Sequence, residues 1–174
     1  TLLNTTLEDK TVTLNFSKEF LNVSSDNSQK LIEAIVYSLT ELKEIDSIII
    51  QVEGENLTTY PNRKEKLPNL LTRELGINKR YDLTSTKDIN KVVIYYLEEL
   101  EDEIYYVPVT KYLNDSRDKI EIIIEELTTG YIYEPNLMSF LREDTELIEA
   151  RCEDELFILN FNDALFDTSG IIKE

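Results

Sequence analysis

The segment that decides the fold is CEDELFILNFN, from Cys152 to Asn162, because it matches a segment near the other end of the chain. The matching segment is LEDKTVTLNFS, from Leu7 to Ser17, and the two align without a gap, 145 positions apart. The identical residues are Glu8, Asp9, Leu14, Asn15 and Phe16, which recur as Glu153, Asp154, Leu159, Asn160 and Phe161. A match that keeps a turn together with a strand indicates an internal repeat.

The first copy predicts a β-hairpin followed by a helix and a strand. Val12, Leu14 and Phe16 alternate with polar residues, which is the period of a half-buried strand. The stretch SQKLIEAIVYSLTEL then places apolar residues on one face of a helix, and SIIIQVEG predicts a strand over Ser47–Glu53. The predicted helix stripe consists of Leu31, Ile32, Ile35, Val36, Leu39 and Leu42.

The second half predicts two hairpins with a helix between them. In KVVIYYLEELEDEIYYVPVTKYL, Val92–Tyr96 pairs with Ile104–Thr110 around an acidic tip, Glu98–Glu103. The hairpin of the second copy follows, with arms Leu147–Cys152 and Leu156–Phe161. The helix between the hairpins is expected to start at Asp115 or Ser116 and to present Ile120, Ile123, Ile124 and Leu127 to the core.

The stretch between these halves has a different character. It holds two prolines, turn-forming asparagines and most of a basic cluster, and it is long for a loop inside one domain. We therefore expect residues 1–54 to be the later part of one repeat, 55–90 a linker, and 91–174 the earlier part of the next repeat. The chain would then be cut across a tandem repeat of an α+β fold, with small mixed or antiparallel sheets packed by one or two helices on one face.

Composition excludes several classes of function. The chain has 35 acidic against 18 basic residues, a net charge of −17, so a phosphate backbone or an anionic lipid surface would repel it. With no histidine and one cysteine, His/Cys zinc sites, Ser–His–Asp triads and Cys–His pairs cannot be built. No apolar run approaches the roughly 20 residues of a membrane span. We therefore assign no catalytic, cofactor-binding or metal-binding residues.

Two groups of residues favour alternative functions. Paired carboxylates hydrolyse glycosides, and clustered oxygens bind Ca²⁺, although hairpin tips are usually solvated. The tyrosines on the facing arms would bind sugars or peptides if exposed, but cross-strand tyrosines also simply stabilise a hairpin. The carboxylates in question are Glu98, Glu99, Glu101, Asp102, Glu103, Glu125 and Glu126, and the tyrosines are Tyr95, Tyr96, Tyr105 and Tyr106.

The order of elements resembles the GerM domain of sporulation and spore-germination proteins. KVVIYYLEELEDEIYYVPVTKYL is similar to the opening hairpin of that family, and IEIIIEELTTG to its first helix. ELIEARCEDELFILNFNDALF and LEDKTVTLNFSKEF resemble its central hairpin, and EAIVYSLTELKEIDSIIIQVEGENL its last helix and strand. Together these segments cover roughly two-thirds of the chain, and their order with the duplication makes the match more specific than any single motif.

The resemblance implies an extracytoplasmic, non-enzymatic assembly module of endospore-forming bacteria, related in fold to ring-building motifs. Its partners would be proteins of the envelope complex between mother cell and forespore, or other copies of itself, and the localisation would be membrane-associated through a lipid anchor. The alternative is a carboxylate-rich domain that binds a ligand, Ca²⁺ or peptidoglycan. Cys152 lies inside a predicted strand, so a lipid anchor would have to lie outside this chain.

Two packing expectations follow from the repeat. The helix stripe and the strand Ser47–Glu53 would pack with the sheet of Val92–Tyr96 and Ile104–Thr110 as one composite unit, because each part has what the other lacks. This packing would occur within the chain or between two chains as a swap, and the rival expectation is two separate half-units. The hairpin of the second copy would face a core through Phe157, Leu159 and Phe161. It would also be covered on its other face, or form an interface there, because Leu156 and Ile158 are apolar as well.

Overall fold

The computed structural model describes residues 1–129, 136–154 and 156–166, and its chain divides into two compact units. Unit 1 is Thr1–Ile77 and unit 2 is Asn78–Glu174. Both combine helices with small sheets, which confirms the predicted α+β class. The boundary between the units falls within the stretch that was expected to be a linker.

Unit 1 is a four-stranded sheet with one long helix. Its elements are β1 (Leu2–Glu8), β2 (Thr11–Phe16), α1 (Ser25–Leu39), β3 (Ser47–Val52) and β4 (Glu55–Asn56), with 3-10 turns at Lys18–Asn22 and Arg73–Leu75. The sheet order is β1-β2-β3-β4, and β2 pairs with β3 in parallel. A parallel neighbour requires a crossover between the two strands, and α1 supplies it.

The core of unit 1 includes residues from the expected linker. Ile32 and Val36 of α1 pack with side chains of β2 and β3, and with Tyr60, Leu67 and Leu71. The predicted composite unit is therefore wrong, because the helix stripe is covered within its own unit. The stripe is also shorter than expected: α1 ends at Leu39, so Leu42 lies beyond the helix and is exposed.

Unit 2 contains a long hairpin, a helix and a second hairpin. Its elements are β5 (Arg80–Asp82), β6 (Ile89–Leu100), β7 (Glu103–Asn114), α2 (Lys119–Thr128), β8 (Leu137–Met138), β9 (Leu147–Glu153) and β10 (Leu156–Phe161), with a 3-10 turn at Asp163–Phe166. One sheet has the order β5-β7-β6-β8, and β9 with β10 forms another. Ile122 of α2 packs on the first sheet against Val92, Ile94, Tyr96 and Val109.

Three details of unit 2 differ from the sequence prediction. The β6–β7 hairpin continues to Leu100 and Glu103, so most of the expected acidic tip is strand and only Glu101 and Asp102 form the turn. The N-cap of α2 is Asp118, whose carboxylate accepts a hydrogen bond from the backbone N–H of Ile120 at 2.8 Å. The fully buried residue of α2 is Ile122, which the predicted stripe omitted.

The two repeat copies form the same hairpin. Leu7 pairs with Val12 in the first copy, and Cys152 pairs with Phe157 in the second, 145 positions later. Both hairpins also carry a register shift at the equivalent point, next to the pairs Leu2–Phe16 and Leu147–Phe161. Because both hairpins have the same turn position and the same register shift, their geometry agrees with a duplicated unit. The assignment of 1–54 and 91–174 to parts of two repeats stays a prediction.

Gly54 closes the turn between β3 and β4 with a φ of +85°. An added Cβ would meet no atom within 4 Å, so a substitution is opposed by backbone conformation alone. We expect Gly54→Ala to lower the free energy of unfolding of unit 1 by about 1 kcal/mol, because side chains disfavour the left-handed region. Gly54→Asn is the matched control, since asparagine tolerates that region better, and urea unfolding of the two variants should separate them. Equal stability of both variants and the parent chain would contradict this expectation.

Candidate functional site

The β9–β10 hairpin of unit 2 has an exposed apolar face. Alternation along the paired strands places Ile148, Ala150, Phe157 and Leu159 on one side of the sheet, and we call these four residues the open face. Leu159 is 40% exposed, whereas the equivalent Leu14 of the first copy is 7% exposed. The prediction that Phe157, Leu159 and Phe161 face a core is therefore wrong for Phe157 and Leu159, which are exposed, while Phe161 is partly buried.

The difference arises from the neighbours of the hairpin. In unit 1, the outer edge of β2 pairs with β3, and Ile32 and Val36 of α1 pack in the same core as Val12 and Leu14. In the described part of unit 2, β10 pairs only with β9. The predicted cover over the other face is also wrong for Leu156, which is 63% exposed, while Ile158 is partly buried. An interface formed by that side remains a prediction.

A groove of about 470 Å³ runs beside the open face, between α2 and β9. Ile124 and Leu147 give it apolar walls, and Glu121, Glu125, Glu146 and Glu149 add carboxylates. Arg117 is the basic residue of its lining and forms ion pairs with Asp115 and Glu125. Hydrogen bonds from Arg117 hold the pKa of Asp115 below its usual value. The groove is therefore lined by both apolar side chains and carboxylates.

A buried ionic cluster lies in the core of unit 2. The Nζ atom of Lys111 is 3.1 Å from Asp82 Oδ2 of β5 and donates a hydrogen bond to Glu126 Oε2 of α2. Burial raises the pKa of the nearby Tyr96, and the charge of Glu126 adds to that rise. No site residue was predicted from the sequence at Lys111 or Asp82. The alternation along β7 could have predicted that Lys111 faces inward, because Lys111 follows Val107 and Val109 on the same side of the strand.

The candidate carboxylates do not come together as one site. Glu98, Glu99 and Glu103 lie on strands and Glu101 and Asp102 in the turn between them, while Glu125 pairs with Arg117 and Glu126 with Lys111. Within residues 1–129, 136–154 and 156–166, no group of three or more Asp, Glu, Cys or His side chains is arranged to hold a metal ion. Glu125 and Glu126 are therefore engaged in ion pairs within unit 2.

The four tyrosines of the β6–β7 hairpin lie on opposite faces of the sheet. Tyr96 and Tyr105 share the core side, where Tyr96 is buried and Tyr105, near the turn, is exposed. Tyr95 and Tyr106 are exposed on the other side, opposite Pro108 and Leu97 respectively. They are diagonal neighbours and not a directly paired couple. This arrangement offers aromatic surface on one sheet face for a flat ligand.

Comparison with known proteins finds similar sporulation proteins. A family model described as sporulation and spore germination (Germane) matches residues 1–58. The chain is 32% identical, over 168 residues, to a curated protein of Bacillus subtilis (strain 168) named spore germination protein GerM. That alignment covers 93% of this chain and 45% of the relative, so the chain spans about half the length of the curated relative.

A solved structure shares the fold. The structure described as tandem GerMN domains of the sporulation protein GerM from Bacillus subtilis superposes with a TM-score of 0.86 at 30% sequence identity. The match covers 94% of this chain and 59% of that one. The likeness therefore extends over both units and is not confined to one hairpin. Among the described residues, no helix has the length and apolar character needed to cross a bilayer.

Proposed function

The chain belongs to the GerM domain family, and from this premise we propose that it is a non-enzymatic protein-assembly module of endospore formation. Its relatives are sporulation and germination proteins, which supports a sporulation-related role. The finer proposal is that it helps to build the envelope complex between mother cell and forespore. It would act outside the cytoplasm, with an anchor such as a lipid holding the protein at the membrane.

The open face of unit 2 is the observation that carries this proposal. Unit 1 shows what such a hairpin accepts: a parallel strand on the edge of β2 and an amphipathic helix over Val12 and Leu14. The corresponding edge of β10 and the side chains of Phe157 and Leu159 offer the same contacts. Strand addition at an exposed edge is a common way for proteins to bind one another. We therefore propose a helix and strand of the α1–β3 type as the occupant.

The charge of unit 2 narrows the kind of occupant. Residues 78–174 contain 23 acidic and 10 basic residues, against 12 and 8 in residues 1–77. The lining of the groove beside the open face includes Glu121, Glu125, Glu146 and Glu149. Charge complementarity favours an occupant whose polar side is basic. Such a segment is supplied either by the same protein or by a partner in the envelope complex.

Residue-specific cross-linking in sporulating cells tests this function. A photo-reactive amino acid at Phe157 should cross-link to a helix–strand segment that mass spectrometry can identify. Leu159→Glu places a charge on the open face and should abolish the cross-link and reduce the yield of heat-resistant spores. Asn160→Glu is the matched control, because Asn160 neighbours Leu159 in β10 but faces the opposite side of the sheet. Equal behaviour of the two variants would count against the open face as a docking surface.

The proposed absence of enzyme activity has its own test. A reaction catalysed by the purified chain and abolished by one surface carboxylate substitution would contradict it. The alternative function, a carboxylate-rich domain that binds a ligand, Ca²⁺ or peptidoglycan, is favoured by the exposed pair Tyr95 and Tyr106. Calorimetry with Ca²⁺ and sedimentation with purified peptidoglycan should show no binding. Binding of peptidoglycan that is lost in Tyr106→Ala would establish the alternative.

A further inference from the structure

Lys111 holds an amine inside the core of unit 2. Its side chain is 5% exposed, although it ends in a group that normally stays in water. The backbone of Lys111 pairs with Val92 of β6 on one side and with Arg80 of β5 on the other, so it lies in the middle of the sheet. This pairing fixes the backbone from which the side chain of Lys111 extends.

Two carboxylates from different elements meet this amine. Asp82 of β5 approaches Nζ to 3.1 Å with one oxygen, and Glu126 of α2 accepts a hydrogen bond from the same nitrogen. The side chains of Asp82 and Glu126 are 33% and 20% exposed, so both carboxylates are partly shielded from water, with Asp82 the more exposed of the two. The surrounding side chains are apolar or aromatic: Val92, Ile94, Tyr96, Val109 and Ile122.

We propose that Lys111 and Asp82 become joined by an intramolecular isopeptide bond, with Glu126 as the residue that transfers the proton. Such a reaction needs an amine, a carboxyl carbon within reach and a proton carrier, held together and partly shielded from water. Here the amine nitrogen already lies at hydrogen-bond distance from an oxygen bonded to the reacting carbon. Fixed proximity of this kind replaces the activation that an intermolecular reaction requires.

The chemistry balances without any other reactant. The ammonium proton of Lys111 first moves to the carboxylate of Asp82, which gives a neutral amine and a neutral acid. The Nζ lone pair then attacks Cγ of Asp82, and Glu126 takes a proton from the nitrogen and delivers it to the departing oxygen. The Nζ–Cγ bond forms, a Cγ–O bond breaks, and one water molecule leaves. Glu126 ends with the charge that it had at the start.

The ionic state of the cluster sets the rate of this reaction. Desolvation by burial lowers the pKa of Lys111, but the two carboxylates outweigh it and leave the pKa raised, so the resting amine is charged. The neutral amine that attacks is therefore a minor form, and partial desolvation of the charges is the contribution that favours it. The bond has to form only once in each molecule, so a slow reaction suffices.

The mass of the intact chain tests the proposal directly. Residues 1–174 are purified, kept at neutral pH and weighed under denaturing conditions, which separate a covalent bond from an ion pair. We expect a mass lower than the sequence mass by one water molecule, and a proteolytic fragment in which the peptides of Asp82 and Lys111 are joined. A chain that keeps its full sequence mass after prolonged storage would overturn the proposal.

Three variants test whether the loss of one water molecule comes from a bond between Lys111 and Asp82. Lys111→Arg keeps the positive charge but should retain the full sequence mass. Asp82→Asn should lose ammonia in place of water, because the amide nitrogen becomes the leaving group. Glu126→Gln should keep the reactants in place and stop or greatly slow the loss. A loss of water that persists in Lys111→Arg would place the reaction elsewhere and overturn the assignment.

Discussion

Replacing Leu71 with alanine is expected to lower the free energy of unfolding of unit 1 by about 2–5 kcal/mol, the range for truncating a fully buried leucine. Leu71 is 2% exposed and packs in the core with Ile32, Val36 and Ile48. Its backbone also exchanges two hydrogen bonds with Ile48, of 2.8 and 2.9 Å, so this stretch is fixed beside β3. Truncation leaves a cavity that these fixed neighbours cannot fill.

The adjacent leucine supplies the control. Leu70 is 47% exposed, so Leu70→Ala should change the free energy of unfolding by no more than about 0.5 kcal/mol. Hydrogen exchange of the full chain, followed by mass spectrometry in increasing denaturant, reports α1 and β3 separately from unit 2. Equal loss of protection in the two variants would show that residues 57–77 are not part of the core.

The sequence predicted the hairpins because their signals are local. In Thr11–Phe16, alternation sets the faces of the strand, and the turn residues Asp9 and Lys10 take the positive φ that the tight turn needs. The core role of residues 57–77 was missed because Tyr60, Leu67 and Leu71 follow neither a helix nor a strand period. The prolines and turn residues of this segment are typical of a linker. Only its tertiary packing distinguishes a segment that contributes to the core from a true linker.

The candidate site was less predictable because exposure depends on neighbours. Leu14 and Leu159 occupy the same place in the same hairpin, yet one is buried and the other exposed. The residues themselves are identical; the presence of α1 and β3 beside the first copy makes the difference. A repeat in the sequence therefore predicts the shape of a hairpin more reliably than it predicts which surface the hairpin leaves open.

Lys111→Met is expected to reduce the free energy of unfolding of unit 2 by about 3 kcal/mol, the lower end of the range for breaking a buried ion pair. The lower end applies because Asp82 and Glu126 both keep some contact with water. The substitution leaves the carboxylates of Asp82 and Glu126 without the nitrogen between them. Methionine retains most of the apolar stem, so the loss comes from charge and not from packing.

Lys119→Met is the matched control for Lys111→Met, because Lys119 is exposed in the first turn of α2 and its removal should change stability little. Hydrogen exchange of β5, β7 and α2 in the full chain measures the effect, since these three elements contribute Asp82, Lys111 and Glu126. Adding Asp82→Asn and Glu126→Gln to Lys111→Met should restore part of the lost stability, because neutral side chains cost less to bury than unpaired carboxylates. If Lys111→Met matched its control, the buried cluster would contribute nothing to holding β5 and α2 on the sheet.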